Sequence, residues 1–477
     1  MRLSLLPLVL ALSACSLTPR LDKLDAPVPT SYPVAQVQQD QASAAEIGWH
    51  AMFGDPRLQQ LIELALHNNR DLRLATLNVE AVQAEYRIQR AARLPGVEAG
   101  LGGARERALD ATTGQGPATQ NRVNLQLGVT AFELDLWGRV RAMSEAAFAR
   151  YLASDEGRRA ARISLIASVA DAYIAERLAT EQLELAQQTL RSWTEQLDLA
   201  QQLYRARQSS RLDLAQVRSQ VSRAQADAES RARDLQRAHN ALFQLVGMTS
   251  ALPALPEPLP LQRQPVLTRL PAGLPSTLLL YRPDIRQAEQ NLKAANADIG
   301  AARAAFLPRI SLTATAGFAS PSMRGLFDSE HRVWSFAPQI TQPLFDGGRL
   351  RAELRLSELR KSSAVAEYER IIQVAFREVS DGLAGTATYA RQIAAQEELV
   401  GEEAKRAELS EQRYRAGIEG RLELLDAQRQ LYAARQELLD LRRDEYGNAI
   451  ALYKALGGGQ FRDASQGQET PSLAVMP

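Results

Sequence analysis

The chain of 477 residues is poor in the side chains that carry most protein chemistry. It has a single cysteine, which excludes an internal disulfide. Its four histidines, His50, His67, His239 and His331, are scattered without ligand spacing, so no metal is expected. No nucleophile–base pair or phosphate loop stands out, and no enzyme is expected. Charge of one sign is also lacking: 56 basic residues face 55 acidic ones, for a net charge of +1. Nothing therefore argues for nucleic acid as a partner. Aromatic residues make up only 6%. Proline is missing between Trp137 and Pro253, and again between Pro343 and Pro471. What fills those stretches is alanine and leucine among arginine, glutamate and glutamine, the composition of long helices and coiled coils. The length alone allows two to four domains or one elongated body.

A long hydrophobic run is missing too. The apolar stretch from Leu3 to Leu12, after Met1-Arg2, has signal-peptide length and is too short to span a bilayer. It ends in Leu12-Ser13-Ala14-Cys15, which resembles the lipobox of bacterial lipoproteins. That resemblance implies a signal peptide over residues 1–14 and a diacylglycerol and N-acyl chain on Cys15. Several acyl chains together anchor a protein stably. The alternative is an ordinary signal peptide with a chance cysteine. Ser16, where a retention signal would have aspartate, implies sorting to the outer membrane. Residues 15–45 carry Pro19, Pro27, Pro29 and Pro33 without apolar periodicity and read as an extended arm.

Beyond the arm the chain is a duplication. A first repeat over 46–252 opens with a helical pattern from Trp49 to about Arg93, which stops at Leu94-Pro95. Two strands follow, at about 96–104 and 121–134. In the second, Val123, Leu125, Leu127 and Val129 alternate with polar or small residues, giving one oily and one wet face. A helical hairpin is expected over 138–247. Leu183, Leu190, Leu197 and Tyr204 recur every seventh residue in it, accompanied by Ala186, Trp193 and Ala200. A proline-rich linker occupies 253–281. The second repeat, 282–457, has Ala305-Phe-Leu-Pro308 against Ala92-Arg-Leu-Pro95, strands at about 309–319 and 332–343, and a hairpin over 348–457. Residues 458–477 read as a disordered tail.

The turns of the two hairpins are echoes of each other. Tyr414-Arg-Ala-Gly-Ile-Glu-Gly-Arg-Leu-Glu-Leu-Leu-Asp426 repeats, 210 residues later, Tyr204-Arg-Ala-Arg-Gln-Ser-Ser-Arg-Leu-Asp-Leu214. Gly417 and Gly420 supply backbone freedom in the second turn; Arg207 stands where Gly417 would fall in the first. The first turn is thus differently shaped, or closed by Ser209 and Ser210. After the second turn Glu423 and Asp426 share one helix face. Asp213 matches Glu423, but Gln216 replaces Asp426.

Four strands cannot close a membrane barrel, since single-chain barrels need about eight or more. An open edge in lipid would leave backbone groups unpaired at several kcal/mol each. Several chains must then share one barrel, or the strands must find a partner in water. Here the residues meet a known family. Leu274-Pro-Ser-Thr-Leu-Leu-Leu-Tyr-Arg-Pro-Asp-Ile285, Ala288-Glu289, Ala294-Ala-Asn-Ala-Asp-Ile-Gly300 and Phe306-Leu-Pro308 closely resemble the outer membrane factor (TolC-like) family. The nearest match is its lipoprotein branch, which serves resistance-nodulation-division efflux systems. The resemblance runs from Trp49 to Gly457.

It implies a mainly α fold with a β-barrel part: a homotrimer sharing a twelve-stranded barrel in the outer membrane, over a long coiled-coil periplasmic α-barrel. It implies a passive exit duct for small molecules such as drugs and toxic compounds, fed by a periplasmic adaptor and an inner membrane pump. No catalytic residue and no cofactor beyond the acyl chains are implied. Glu423 and Asp426 would line the periplasmic gate, six carboxylates around an axis whose mutual repulsion raises some pKa values. The plainer reading is that acids in a first turn favour the helix dipole. Tyr204, Arg205, Tyr414, Arg415, Ala416 and Gly417 would dock the adaptor, or the tyrosines would simply pack. A type I protein secretion duct shares these features; a lipid-anchored coiled-coil scaffold would explain the helices but not the strands.

Overall fold

The computed structural model describes residues 17–21, 27, 29, 32, 47–108, 118–248, 254–271 and 282–459. Cys15, most of the arm, Leu274–Tyr281 and the tail beyond Gly459 lie outside the described residues. The elements are α1 (Trp49–Met52), α2 (Pro56–Asn68), α3 (Arg70–Ala91), β1 (Glu98–Ala108), β2 (Ala118–Glu133), α4 (Arg139–Arg205), α5 (Arg211–Val246), α6 (Pro283–Ala304), β3 (Arg309–Ser320), β4 (Arg332–Thr341), α7 (Arg349–Arg415) and α8 (Arg421–Ala455). The duplication is visible in their lengths. Helices α4 and α7 have 67 residues each, and α3 and α6 have 22 each. Both long helices begin alike. Asp135 accepts from the Val140 and Arg141 amides at 3.0 and 2.7 Å, and Asp346 accepts from Gly348 and Leu350 at 2.9 and 2.8 Å. These aspartates satisfy amides that a helix start leaves open.

Several boundaries differ from the pattern-based expectation, each for a local reason. The helix expected from Trp49 to Arg93 is three. Asp55 caps α2, accepting from the Arg57 amide at 2.9 Å, with Pro56 at the first helical position. Asn69 then leaves the helical region (ψ 129°) and starts α3 by accepting from the Leu72 amide at 2.9 Å. Strand β1 runs to Ala108 rather than 104, because Arg105, Glu106 and Arg107 pair with Asn121, Gln120 and Thr119 of β2. Strand β4 ends at Thr341 rather than 343. The described part of the proline-rich linker is packed: Leu261 is fully buried, and Val266 forms an antiparallel bridge with Phe53. Gly458 and Gly459, expected in the tail, lie against Ile163 and the Ile47 carbonyl.

The chain forms two compact units, and each contains the same part of both repeats. Of the described residues, the first holds those within 78–155 and 287–369, and the second those within 47–77, 156–286 and 370–459. In the first unit the strands make one antiparallel sheet in the order β1-β2-β3-β4, so the repeats join at β2–β3. Leu101 pairs with Leu125, Leu125 with Phe318, Leu127 with Ala316, and Ala316 with Trp334. One face is therefore apolar across all four strands, and the other carries Gly100, Gln126, Thr315 and Ser335. Trp334, Phe336 and Ile340 on that apolar face are 61–79% exposed. A bulge between Val129 and Phe132 puts Ala131 at φ 51°, its amide donating to the Thr313 hydroxyl.

The second unit is helical. Its core is built on Tyr173, Tyr453, Phe53, Met52, Leu58 and Leu61, all at most 1% exposed. Each such side chain contributes about 1.5–3 kcal/mol. The heptad seam of the first hairpin is fully buried at Ala186, Trp193 and Ala200, while the companion leucines are half-buried. Small residues let the helices approach closely, so the alanine row, not the leucine row, is the contact line.

The helix-hairpin tips

The two hairpins of the second unit are tied along their length by α8. Gln182 of α4 donates to Asp440 at 2.8 Å, Gln196 to Gln428 at 3.3 Å, and Tyr432 hydrogen-bonds Asp227 of α5. Burial, then Asp227, push the Tyr432 phenol up to about 12, so it stays a donor.

Arg207 and Gly417 make the same turn. The Arg207 amide bonds Tyr204 O and the Gln208 amide bonds Leu203 O; Gly417 and Ile418 bond Tyr414 O and Arg413 O in the same way. Gly417 has φ 71° and Arg207 has φ 61°, so the arginine adopts the left-handed conformation usually reserved for glycine. The expected difference in backbone shape is therefore absent, while the expected closure by serine is present. Ser210 caps α5 in a reciprocal box with Asp213, and Ser209 adds a 3.2 Å bond to the same carboxylate. The Ser210 hydroxyl and amide hold Asp213 below the usual carboxylate range. Gly420, at the start of α8, has no side-chain cap.

The two gate candidates differ in surroundings. Asp426 accepts from Arg406 of α7 at 2.9 Å and from Arg429 at 2.6 Å. Arg406, then Arg429, pull its carboxyl below the ordinary value. Within one chain this is the opposite of the upward shift expected from repulsion between acids. Glu423 is exposed and has no ion pair or hydrogen bond among the described residues. The sequence reading missed these arginines. Arg429 was accessible from its three-residue spacing; Arg406 lies 20 residues before Asp426 and is brought opposite only by the hairpin.

Of the candidate docking residues, Tyr204 is 42% exposed and so does not pack as a heptad residue. Arg205, Arg415, Ala416 and Gly417 are exposed, with Arg415 paired to Glu411. Tyr414 is half-buried beneath the Arg421 guanidinium, 5.4 Å from its ring centre. Arg421 is itself buried, and its Nε and Nη1 have no hydrogen-bond partner. Leu212, Ile418 and Leu422, at 67–69% exposure, add apolar surface at both tips that sequence periodicity did not single out. No helix among the described residues is long and apolar enough to cross a membrane, and no three-residue metal cluster occurs among them.

A four-stranded sheet with an apolar face, duplicated helical hairpins and paired tips matches one family. Residues 61–248 and 274–458 fit the family described as outer membrane efflux protein. The chain belongs to that family. It is 46% identical over 460 residues to the solvent efflux pump outer membrane protein SrpC of Pseudomonas putida, covering 94% of this chain and 97% of SrpC. A crystal structure of a Pseudomonas aeruginosa membrane protein superposes with a TM-score of 0.87 at 41% identity, covering 93% of this chain and 100% of that one. The open-state MtrE outer membrane channel of Neisseria gonorrhoeae gives 0.84 at 39% identity, over 93% and 98%. This efflux protein is thus an outer-membrane exit duct with the TolC-like fold, its sheet lying in the membrane and most of its helical mass in the periplasm.

Proposed function

We propose that three copies share one barrel and form a passive duct, with no catalytic step of its own. The observation that carries this reading is the sheet: its apolar face is continuous across four strands, and both its edges, β1 and β4, are open. Three such sheets give twelve strands and leave no edge in lipid. The duct receives small molecules from a periplasmic adaptor and an inner membrane pump of the resistance-nodulation-division type. The name of SrpC, a solvent efflux protein, supports apolar compounds as cargo. The tips dock the adaptor through Tyr204, Arg205, Tyr414, Arg415, Ala416 and Gly417. Cys15 carries the acyl anchor, as the Leu12-Ser13-Ala14-Cys15 sequence favours.

Glu423 and Asp426 form the gate in different ways. Glu423 faces solvent and supplies negative charge to the axis, which favours cations. Asp426 holds Arg406 and Arg429, and so ties α7 to α8 where the hairpin turns. The purified protein is expected to run as an SDS-resistant trimer and to conduct ions in a planar bilayer; a monomeric, non-conducting protein overturns the duct. Asp426→Ala is expected to raise basal conductance, and Glu423→Gln to lower cation preference with little change in conductance. Unchanged currents in both would remove these acids from the gate.

A further inference from the structure

The apolar face of the sheet ends in arginine. Along the strand positions that share the face of Leu101, Leu125, Phe318 and Trp334, the charged side chains are Arg105 and Arg107 of β1 and Arg332 of β4. Every acid in the strands, Glu98, Glu106 and Glu133, falls on the opposite face. The three arginines sit where β1 ends and β4 begins, at the loop end of the sheet; the other end of each strand joins a helix. All three are exposed, and none has an ion pair among the described residues.

Because the helical mass is periplasmic, the loop end faces out of the cell. A guanidinium is costly within hydrocarbon and cheap at its boundary, so these arginines mark where the oily band stops. Trp334, next along the face from Arg332, is the kind of side chain that settles at such a boundary. Closing the barrel brings the arginines together. Inside the chain Val123 pairs with Ser320. Their repeat equivalents are Trp334, once the β2 bulge is allowed for, and Arg107, by the spacing of Pro95 and Pro308. The same pairing between copies sets Trp334 against Arg107 of the partner subunit, with Arg332 on the diagonal, about 7–8 Å away. Like charges that close repel. An anion between them removes the conflict, and guanidinium forks match the oxygens of a phosphate.

We propose that each junction between copies holds the phosphate of an anionic outer-leaflet lipid, gripped by Arg332 of one copy and Arg107 of the partner subunit, with Arg105 of the partner subunit beside them. The inference rests on the reading that several chains share a barrel. The acyl chains of the lipid then lie down the face of Trp334, Phe336 and Ile340. The two ends of the ligand thus meet the two chemistries that β4 presents on one face. A free phosphate would leave that apolar surface unused, which is why a lipid is the occupant.

The test is native mass spectrometry of the full-length protein, delipidated in detergent and mixed with lipid A, a glycolipid that carries phosphates. Wild-type trimers are expected to retain lipid A, and to release it as salt is raised. Phosphatidylcholine, whose phosphate is balanced by its own cation, is expected to bind more weakly. Arg105→Gln, Arg107→Gln and Arg332→Gln together should weaken lipid A retention by roughly tenfold or more. Arg122→Gln, at the same end but on the opposite face, should leave it unchanged. The trimer mass reports whether each variant assembles, and the Arg107→Gln and Arg332→Gln single variants carry the comparison if the triple one does not. Equal retention by assembled variants, equal binding of the two lipids, or trimers that bind no lipid A overturns the site and leaves the shared barrel standing. A wild-type protein that is monomeric overturns both.

Discussion

Arg207 holds the left-handed backbone of a turn that its repeat partner builds with Gly417. A non-glycine residue there carries about 1–2 kcal/mol of steric cost. Glycine would relieve it while giving back some chain entropy. Arg207→Gly is therefore expected to raise the thermal midpoint of the helical signal in circular dichroism, by up to about 1 kcal/mol of stability. Gly417→Val is expected to lower it. Across the same turn, Ser210→Ala removes a reciprocal cap and should cost about 1 kcal/mol. Since the folded Asp213 is held below its unfolded value of about 3.9, its contribution is present above that pH. It is lost as the pH falls through the depressed folded value. The melting difference between wild type and Ser210→Ala should thus shrink on acidification below about pH 4; a constant difference would mean that Asp213 is not what Ser210 holds. At this scale the sequence was only partly legible. It marked Arg207 and the two serines as the places where the turns diverge, but a φ value is set by the hydrogen bonds of the flanking helices. Those bonds impose one turn on both sequences.

Among the elements, the strands were the most legible and their ends the least. Alternation reports a strand only while one face is oily. The charged run Arg105-Glu106-Arg107 continues β1 by backbone pairing alone and has no such signature. Glycines inside the sheet separate register from composition. A Cβ added to Gly317 would stand 2.0 Å from the Leu125 carbonyl oxygen, whereas one added to Gly100 meets nothing within 4 Å. Gly317→Ala should then force β2 and β3 apart and sharply reduce the folded, protease-resistant fraction recovered from the outer membrane. Gly100→Ala, on the edge strand, should leave that fraction near wild type. Equal recovery of the two variants would mean that β2 and β3 yield at Gly317. The break at Asn69 was illegible for the opposite reason: the apolar period continues through it. It is the Asn69 side chain, its Nδ2 donating to Leu245 O at 2.9 Å and its Oδ1 accepting from the Leu72 amide, that identifies the residue that turns the chain.

At the scale of the whole molecule, the duplication predicts how copies join, because the β2–β3 contact is a repeat-to-repeat contact already made inside the chain. Within it Leu125 pairs with Phe318, Leu127 with Ala316 and Val129 with Ala314. Strand β3 maps onto β1 with the 213-residue offset of Pro308 and Pro95. Strand β2 maps onto β4 with an offset of 211 above its bulge, one more than the 210 of the helices, since the bulge inserts a residue that β4 lacks. Carried over, the pairing sets Phe336 against Arg105, Pro338 against Gly103, and Ile340 against Leu101 of the partner subunit. All six positions fall on the faces already continuous in the single sheet, as parity requires, because a slip of one residue would turn the oily side inward. The partners must also lie within disulfide reach, as directly opposed strand positions do. Phe336→Cys with Arg105→Cys should therefore cross-link between subunits in membranes. Phe336→Cys with Leu101→Cys, four residues away along β1, should not. Cross-linking of the second pair instead would show that the edge joins in a register of its own, and that the closing contact is not a copy of the one the chain makes with itself.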